Sequence, residues 1–107
     1  MLIAIPSSPE NMEINSCMRF KRHHQVVENE LDNEITLFQS ESSEYLVLNK
    51  TGSFIWKALE SQPTFSQLCQ RIHLKYAVSP QKAESELKEW LDLAIKKKVV
   101  ISYEDTN

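Results

Sequence analysis

The side chains able to ligate a metal or attack a substrate are few in this chain, and their spacing assembles no site. His23 and His24 are adjacent, and His73 stands alone. No HExxH and no Cys/His pattern of metal spacing occurs, so no metal and no cofactor is expected. Cys17 and Cys69 are far apart and form no CxxC, which reads as reduced thiols in a cytoplasmic protein. No serine sits in a GxSxG setting, and the single glycine, Gly52, forbids one. The same count excludes the dinucleotide fingerprint, which needs three glycines, and the P-loop, which needs two. Glu84, Glu86, Glu89 and Asp92 lie among Lys82 and Lys88, the pattern of a solvated helix face, with Glu84 and Lys88 as an i,i+4 pair. Nothing resembles a catalytic constellation, so a binding protein is expected rather than an enzyme.

The elements that would carry a binding surface can be read from periodicity. The chain has 107 residues, the size of one domain. Residues 24–28 favour an extended strand, and 29–33 form a loop rich in Asn and Asp. Residues 34–39 alternate, with Ile35 and Leu37 on one side and Thr36 and Phe38 on the other, the period of a strand. Ser40–Ser43 is a turn, and 44–49 form a third strand. Short links make the three an antiparallel meander. The period then changes. Asn49 or Thr51 can cap a first helix carrying Ile55, Trp56 and Leu59. Thr64 and Gln67 fit a capping box for a second, with Leu68, Cys69, Ile72 and Tyr76. Ser79 and Pro80 open a third, whose stripe is Ala83, Leu87, Trp90, Leu91, Ala94 and Ile95. Trp56 and Trp90 are both expected in the core rather than at a ligand. Residues 99–103 are a last extended piece.

Strands grouped before helices indicate an α+β domain: a three-stranded antiparallel sheet followed by a three-helix bundle. The tight link between the second and third helices resembles a helix-turn-helix. Residues 1–18, interrupted by Pro6 and Pro9, read as an N-terminal tail. Five apolar residues at its start are too few for a membrane span or a signal core. Residues 104–107 read as a C-terminal tail.

Charge speaks against nucleic acid. Twelve Lys and Arg face fifteen Asp and Glu, a net charge of -3. The one basic cluster apart from Lys96–Lys98 is Arg19–His24, followed at once by Glu28, Glu30, Asp32 and Glu34, which would repel a duplex. It reads as a solvated lead-in to the first strand. The third strand, Tyr45–Leu48, has no Pro and no charge. If the meander order holds it lies at a sheet edge, where unpaired N–H and C=O groups are a template for another chain.

The run Tyr45-Leu46-Val47-Leu48-Asn49-Lys50-Thr51-Gly52-Ser53-Phe54-Ile55-Trp56-Lys57-Ala58-Leu59 resembles the signature of the PqqD family: a Tyr, Leu-Asn-x-Thr-Gly/Ala, then Ile-Trp and a Leu. Lys75-Tyr76-x-Val78, and Leu87, Trp90 and Leu91 ahead of Lys97-Lys98-Val99-Val100, continue it in register. The resemblance covers about residues 19–103. It implies a winged helix-turn-helix-like fold that serves as a recognition element for ribosomally made, modified peptides, as in pyrroloquinoline quinone or lasso-peptide biosynthesis. Such a protein binds the leader segment of a precursor peptide and presents it to a maturation enzyme: a leader peptidase, a cyclase or a radical enzyme. By resemblance, the leader adds as a strand to Tyr45, Leu46, Val47 and Leu48, and the third helix walls the cleft with Glu84, Leu87, Lys88, Leu91 and Ile95. The alternatives are a winged-helix nucleic-acid binder, against which Glu84 and Glu86 speak near the start of the third helix, and a chaperone-like subunit that holds a maturation enzyme without touching a peptide.

Overall fold

The computed structural model describes residues 14–104. Most of the expected tail at 1–18 lies outside the described residues, as do residues 105–107. The part of the first tail that is described engages the fold: Ile14 packs against the core and Met18 is buried. Along the described residues the elements are β1 (Met18–Arg22), β2 (Val26–Leu31), β3 (Glu34–Gln39), β4 (Glu44–Leu48), α1 (Lys50–Ala58), α2 (Phe65–Tyr76), α3 (Pro80–Lys96) and β5 (Val100–Glu104). A 3-10 turn at Leu59–Ser61 extends α1. β2, β3 and β4 form the antiparallel meander in that order. Its inner face packs on the helices, so the α+β class, the three-stranded sheet and the three helices are those expected.

β1 is a correction. The stretch 19–24 was expected to be a solvated lead-in, but Met18–Arg22 pairs antiparallel with β5 in a second, two-stranded sheet. Met18 and Phe20 are buried while Arg19 and Lys21 alternate toward solvent. The partner strand lies some eighty residues away, so nothing local announces the pairing. β2 also runs further than expected, to Leu31. A two-residue turn suffices, because Asp32 and Asn33 both take left-handed backbone, with φ of 55° and 68°.

Three side chains start the helices. Asn49 accepts from the Gly52 N–H at 2.8 Å. Thr64 and Gln67 form the reciprocal capping box ahead of α2. Ser79 accepts from the Lys82 N–H at 3.1 Å, with Pro80 in the first turn of α3. The first of these caps also fixes the direction in which the chain leaves β4.

Gly52 serves close approach, not a turn. Left-handed backbone is carried instead by non-glycine residues, among them Ala77 and Lys98. A Cβ at position 52 would lie 2.7 Å from Nε1 of Trp90, so the absence of a side chain lets the α3 indole rest on the first turn of α1. Gln39 is the buried polar exception among the described residues. Its amide donates to the Lys98 carbonyl at 3.0 Å and accepts from the N–H groups of Glu41 and Ser42 at 2.6 and 3.1 Å. It thereby ties the β3–β4 turn to the corner where α3 gives way to β5.

Trp56 is buried, as expected. Trp90 is only half-buried and lies over Gly52 at the surface, so the expectation of a pure core role is corrected for it. Trp56→Ala should cost about 3–5 kcal/mol, the range for deleting a buried tryptophan, and thermal melting will read it directly. Gly52→Ala should lower the melting temperature less and displace the Trp90 indole. Intrinsic tryptophan fluorescence in a Trp56→Phe background reports that displacement, and an unchanged spectrum would contradict the close approach.

Candidate functional site

The hydrogen-bond parity of the meander determines what β4 offers. The tight turn at Asp32–Asn33 closes on the Leu31–Glu34 pair, and the Ser40 N–H donates to the Gln25 carbonyl at 2.9 Å. The main-chain groups of Glu34, Thr36 and Phe38 therefore face β2, and those of Ile35, Leu37 and Gln39 face β4. Their partners on β4 are Leu48, Leu46 and Glu44. Tyr45 and Val47 thus aim their N–H and C=O groups away from β3. Among the described residues no strand pairs with that edge.

Side chains on β4 alternate. Leu48 is buried and Leu46 half-buried on the inner face, while Tyr45 and Val47 are 64% and 59% exposed on the outer one. The strand is therefore not covered on both faces, as its run of apolar residues suggests. The Tyr45 ring packs tilted against Phe38 with centroids 4.7 Å apart, and Val27, 58% exposed, continues this outer apolar patch across β2.

α3 borders β4 and is fixed at both ends of it. Lys97 Nζ lies 3.1 Å from Oε1 of Glu44 at the start of the strand. Trp90 meets Gly52 just past its end. The helix therefore runs antiparallel to the strand. Between the α1 N-terminus and α3 lies an open groove of about 510 Å³, lined by Asn49, Thr51, Gly52, Glu86, Glu89, Trp90 and Leu93.

The five α3 residues expected to wall the cleft are placed differently. Leu87 and Leu91 are fully buried in the core, and Ile95 is half-buried against it. Glu84 and Lys88 pair at 3.4 Å and line a second hollow with Gln81, Ser85, Asp92 and Glu89, the last of which also borders the groove. They act electrostatically on Cys69 of α2, which puts them on the α2 side of the helix. The α3 residues that line the groove at the α1 N-terminus, Glu86, Glu89, Trp90 and Leu93, form a neighbouring stripe. Its signal was in the sequence: Glu86, Trp90, Leu93 and Lys97 are spaced four, three and four apart. Merging Trp90 into the core stripe hid it.

The chemistry elsewhere is quiet. Burial, and secondarily Glu84, push the Cys69 thiol up to about 11, so it is protonated and a poor nucleophile at neutral pH. Among the described residues no three His, Cys, Asp or Glu side chains gather as a metal site would require. No described helix is long and apolar enough to cross a membrane. The basic cluster holds the fold together. Arg19 donates to the Gln62 carbonyl at 2.8 Å, Arg22 to the Trp56 carbonyl at 2.8 Å, and Lys21 lies over the Tyr103 ring.

Comparison with known proteins bears on the fold and the family. The family model for coenzyme PQQ synthesis protein D (PqqD) matches residues 34–100. Two solved structures share the fold. One is "TbiB1 in Complex with the TbiA(beta) Leader Peptide", with a TM-score of 0.72 and 27% identity over 79% of this chain and 99% of that one. The other is "Lasso peptide synthetase B1 complexed with the leader peptide", with a TM-score of 0.69 and 20% identity over 77% of this chain and 96% of that one. No curated protein matches. The family model spans the sheet edge, the α1 cap and the groove-lining stripe of α3, and with more than half of the chain matched the protein belongs to the PqqD family.

Proposed function

We propose that this protein is a peptide-recognition element that binds the leader segment of a ribosomally made precursor peptide by strand addition to β4 and presents it to a maturation enzyme. The observation that carries the reading is the free edge at Tyr45 and Val47, whose main-chain groups have no partner strand among the described residues. Strand addition takes affinity from such groups and specificity from the pockets beside them. Both solved structures of the same fold are complexes with leader peptides, which supports the reading. Catalysis is left to the partner. A nucleic-acid role has no support: along α3 Glu84, Glu86, Glu89 and Asp92 offset Lys82, Lys88 and Lys96, and the chain as a whole carries a net charge of -3.

The same placement assigns the partner's surface. An added strand would alternate its side chains between the groove and the outer face of the sheet. Its outward residues would lie beside Tyr45 and Val47, extending the patch formed with Phe38 and Val27. We take that exposed apolar face as the surface offered to the maturation enzyme.

Hydrogen exchange tests the binding mode. With the leader of the precursor encoded beside this gene, the amides of Tyr45 and Val47 should gain protection. Those of Leu46 and Leu48, already bonded to β3, should be protected in the free protein too. Val47→Pro removes one free donor and should weaken leader binding about tenfold or more while shifting the melting temperature little, because the side chain is exposed. Leader binding without protection at Tyr45 and Val47 would refute strand addition.

A second variant separates binding from presentation. Val27→Glu places a charge on the outer face, two strands away from the free edge. Leader affinity should be unchanged, and leader removal or cyclisation by the cognate maturation enzyme should fall about tenfold. Unchanged processing would remove the outer face from the partner interface.

A further inference from the structure

The groove between α3 and the start of α1, just past the Leu48 end of β4, carries a charge pattern that restricts which peptides fit it. This inference rests on strand addition to β4. Along α3 the lining stripe reads Glu86, Glu89, Trp90 and Leu93, and one turn beyond it, outside the groove, stands Lys97. Lys97 is committed to Glu44, and that link marks the start of β4. Trp90 and Leu93 form an apolar middle, with Leu93 42% exposed and Trp90 held on Gly52. Glu86 and Glu89 stand at the far end, past Leu48, where the groove opens between α3 and the start of α1. Lys82 pairs with Glu86 at 3.0 Å, one turn further from the apolar middle. Lys82 does not line the groove, so the carboxylates and not the ammonium face an occupant there.

A strand lying on β4 turns every second side chain toward this wall. Its inward row would place an apolar side chain against Trp90 and Leu93, and the next inward position, about 7 Å further along, would reach the two carboxylates. An acidic side chain there would meet like charge, and an uncharged one would leave Glu86 to Lys82 and Glu89 to water. A lysine or arginine would satisfy the carboxylates while laying its apolar stem along Trp90.

We propose that the groove selects leader segments carrying a basic side chain on the inward row, immediately beyond an inward apolar side chain, and that Glu86 and Glu89 read that charge. The selecting element is thus a positive charge placed in register past the Leu48 end of β4.

The test is selection of a displayed library of randomised nonapeptides against the full chain, followed by hydrogen exchange with the enriched peptides. Enriched sequences should show Lys or Arg two positions from an apolar residue. Synthetic peptides with Lys there should bind about two- to fivefold more tightly than those with Glu, the scale of solvent-accessible ion pairs, and the gap should narrow in high salt. Glu86→Gln with Glu89→Gln should erase the preference, and Glu86→Lys with Glu89→Lys should invert it toward Asp or Glu. Both pairs lie at the surface, so melting temperatures should confirm folding. If enriched peptides protect Tyr45 and Val47 but show no basic position, or if the charge-reversed protein selects as the native one does, the charge inference is overturned and strand addition stands. If enriched peptides leave those amides unprotected, or no peptide is enriched, strand addition falls and the inference with it.

Discussion

Trp56 sits where the two sheets and α1 converge, and the position of the binding edge follows from it. Its indole N–H donates to Glu28 of β2 at 2.9 Å, while Arg22 of β1 stacks over the ring at 4.8 Å and donates to the Trp56 carbonyl. One buried side chain therefore fixes α1 against the meander on one side and the β1–β5 ribbon on the other. Because α1 begins immediately after β4, its anchoring also fixes the end of the edge strand and the mouth of the groove. Gln39 does the corresponding work at the other end, where it holds the β3–β4 turn to the α3–β5 corner. The edge is suspended between two buried polar anchors, each fully bonded and each costly to disturb.

The meander has two edges, and only one is left open to another chain. β2 points Glu28 and Glu30 at the inner face of the sheet, where they meet Trp56 and Lys57. A strand added beside β2 would bring its own inward row up against these charges. Inward-pointing charges on an edge strand are a recognised way to block unwanted pairing. β4 carries a charge only at its start, Glu44, and that one is tied to Lys97. The selectivity for one edge is thus electrostatic, and it comes from where the glutamates fall in the period-two pattern.

How much of this was legible in the sequence depended on whether the signal was local. The alternation of 34–39, the capping residues Thr64 and Ser79, and the motif from Tyr45 to Leu59 are local, and they led to the helices, the meander and the edge strand. β1 was missed because its partner is β5, at the far end of the chain, and a five-residue strand rich in Arg and Lys looks solvated when read alone. The α3 residues expected at the cleft differ from those that line the groove for another reason. A helix of this length has room for an apolar core stripe and a mixed one beside it, and Trp90 belongs to the edge of both. Periodicity gives the stripes but not which neighbour each one faces. That choice depended on Gly52, whose lack of a side chain admits the indole.

The energetics of the edge explain why the groove has to exist. Tyr45 and Val47 together offer two donors and two acceptors. A main-chain hydrogen bond contributes about 0.5–1.5 kcal/mol net in water, so the four together supply only a few kcal/mol. Micromolar affinity needs about 8 kcal/mol, and main-chain bonds are the same for every sequence. The edge alone would hold any peptide weakly and choose none. The remainder must come from side chains buried on Trp90 and Leu93, at about 25 cal/mol per Å² of apolar surface, and from charges matched at the rim. A half-buried tryptophan at the surface is costly for a small domain unless something covers it. Here its exposure and the lone glycine that positions it belong to one device: Gly52 lets the indole come close to the end of β4, where an added strand would leave the sheet and need a surface to rest on.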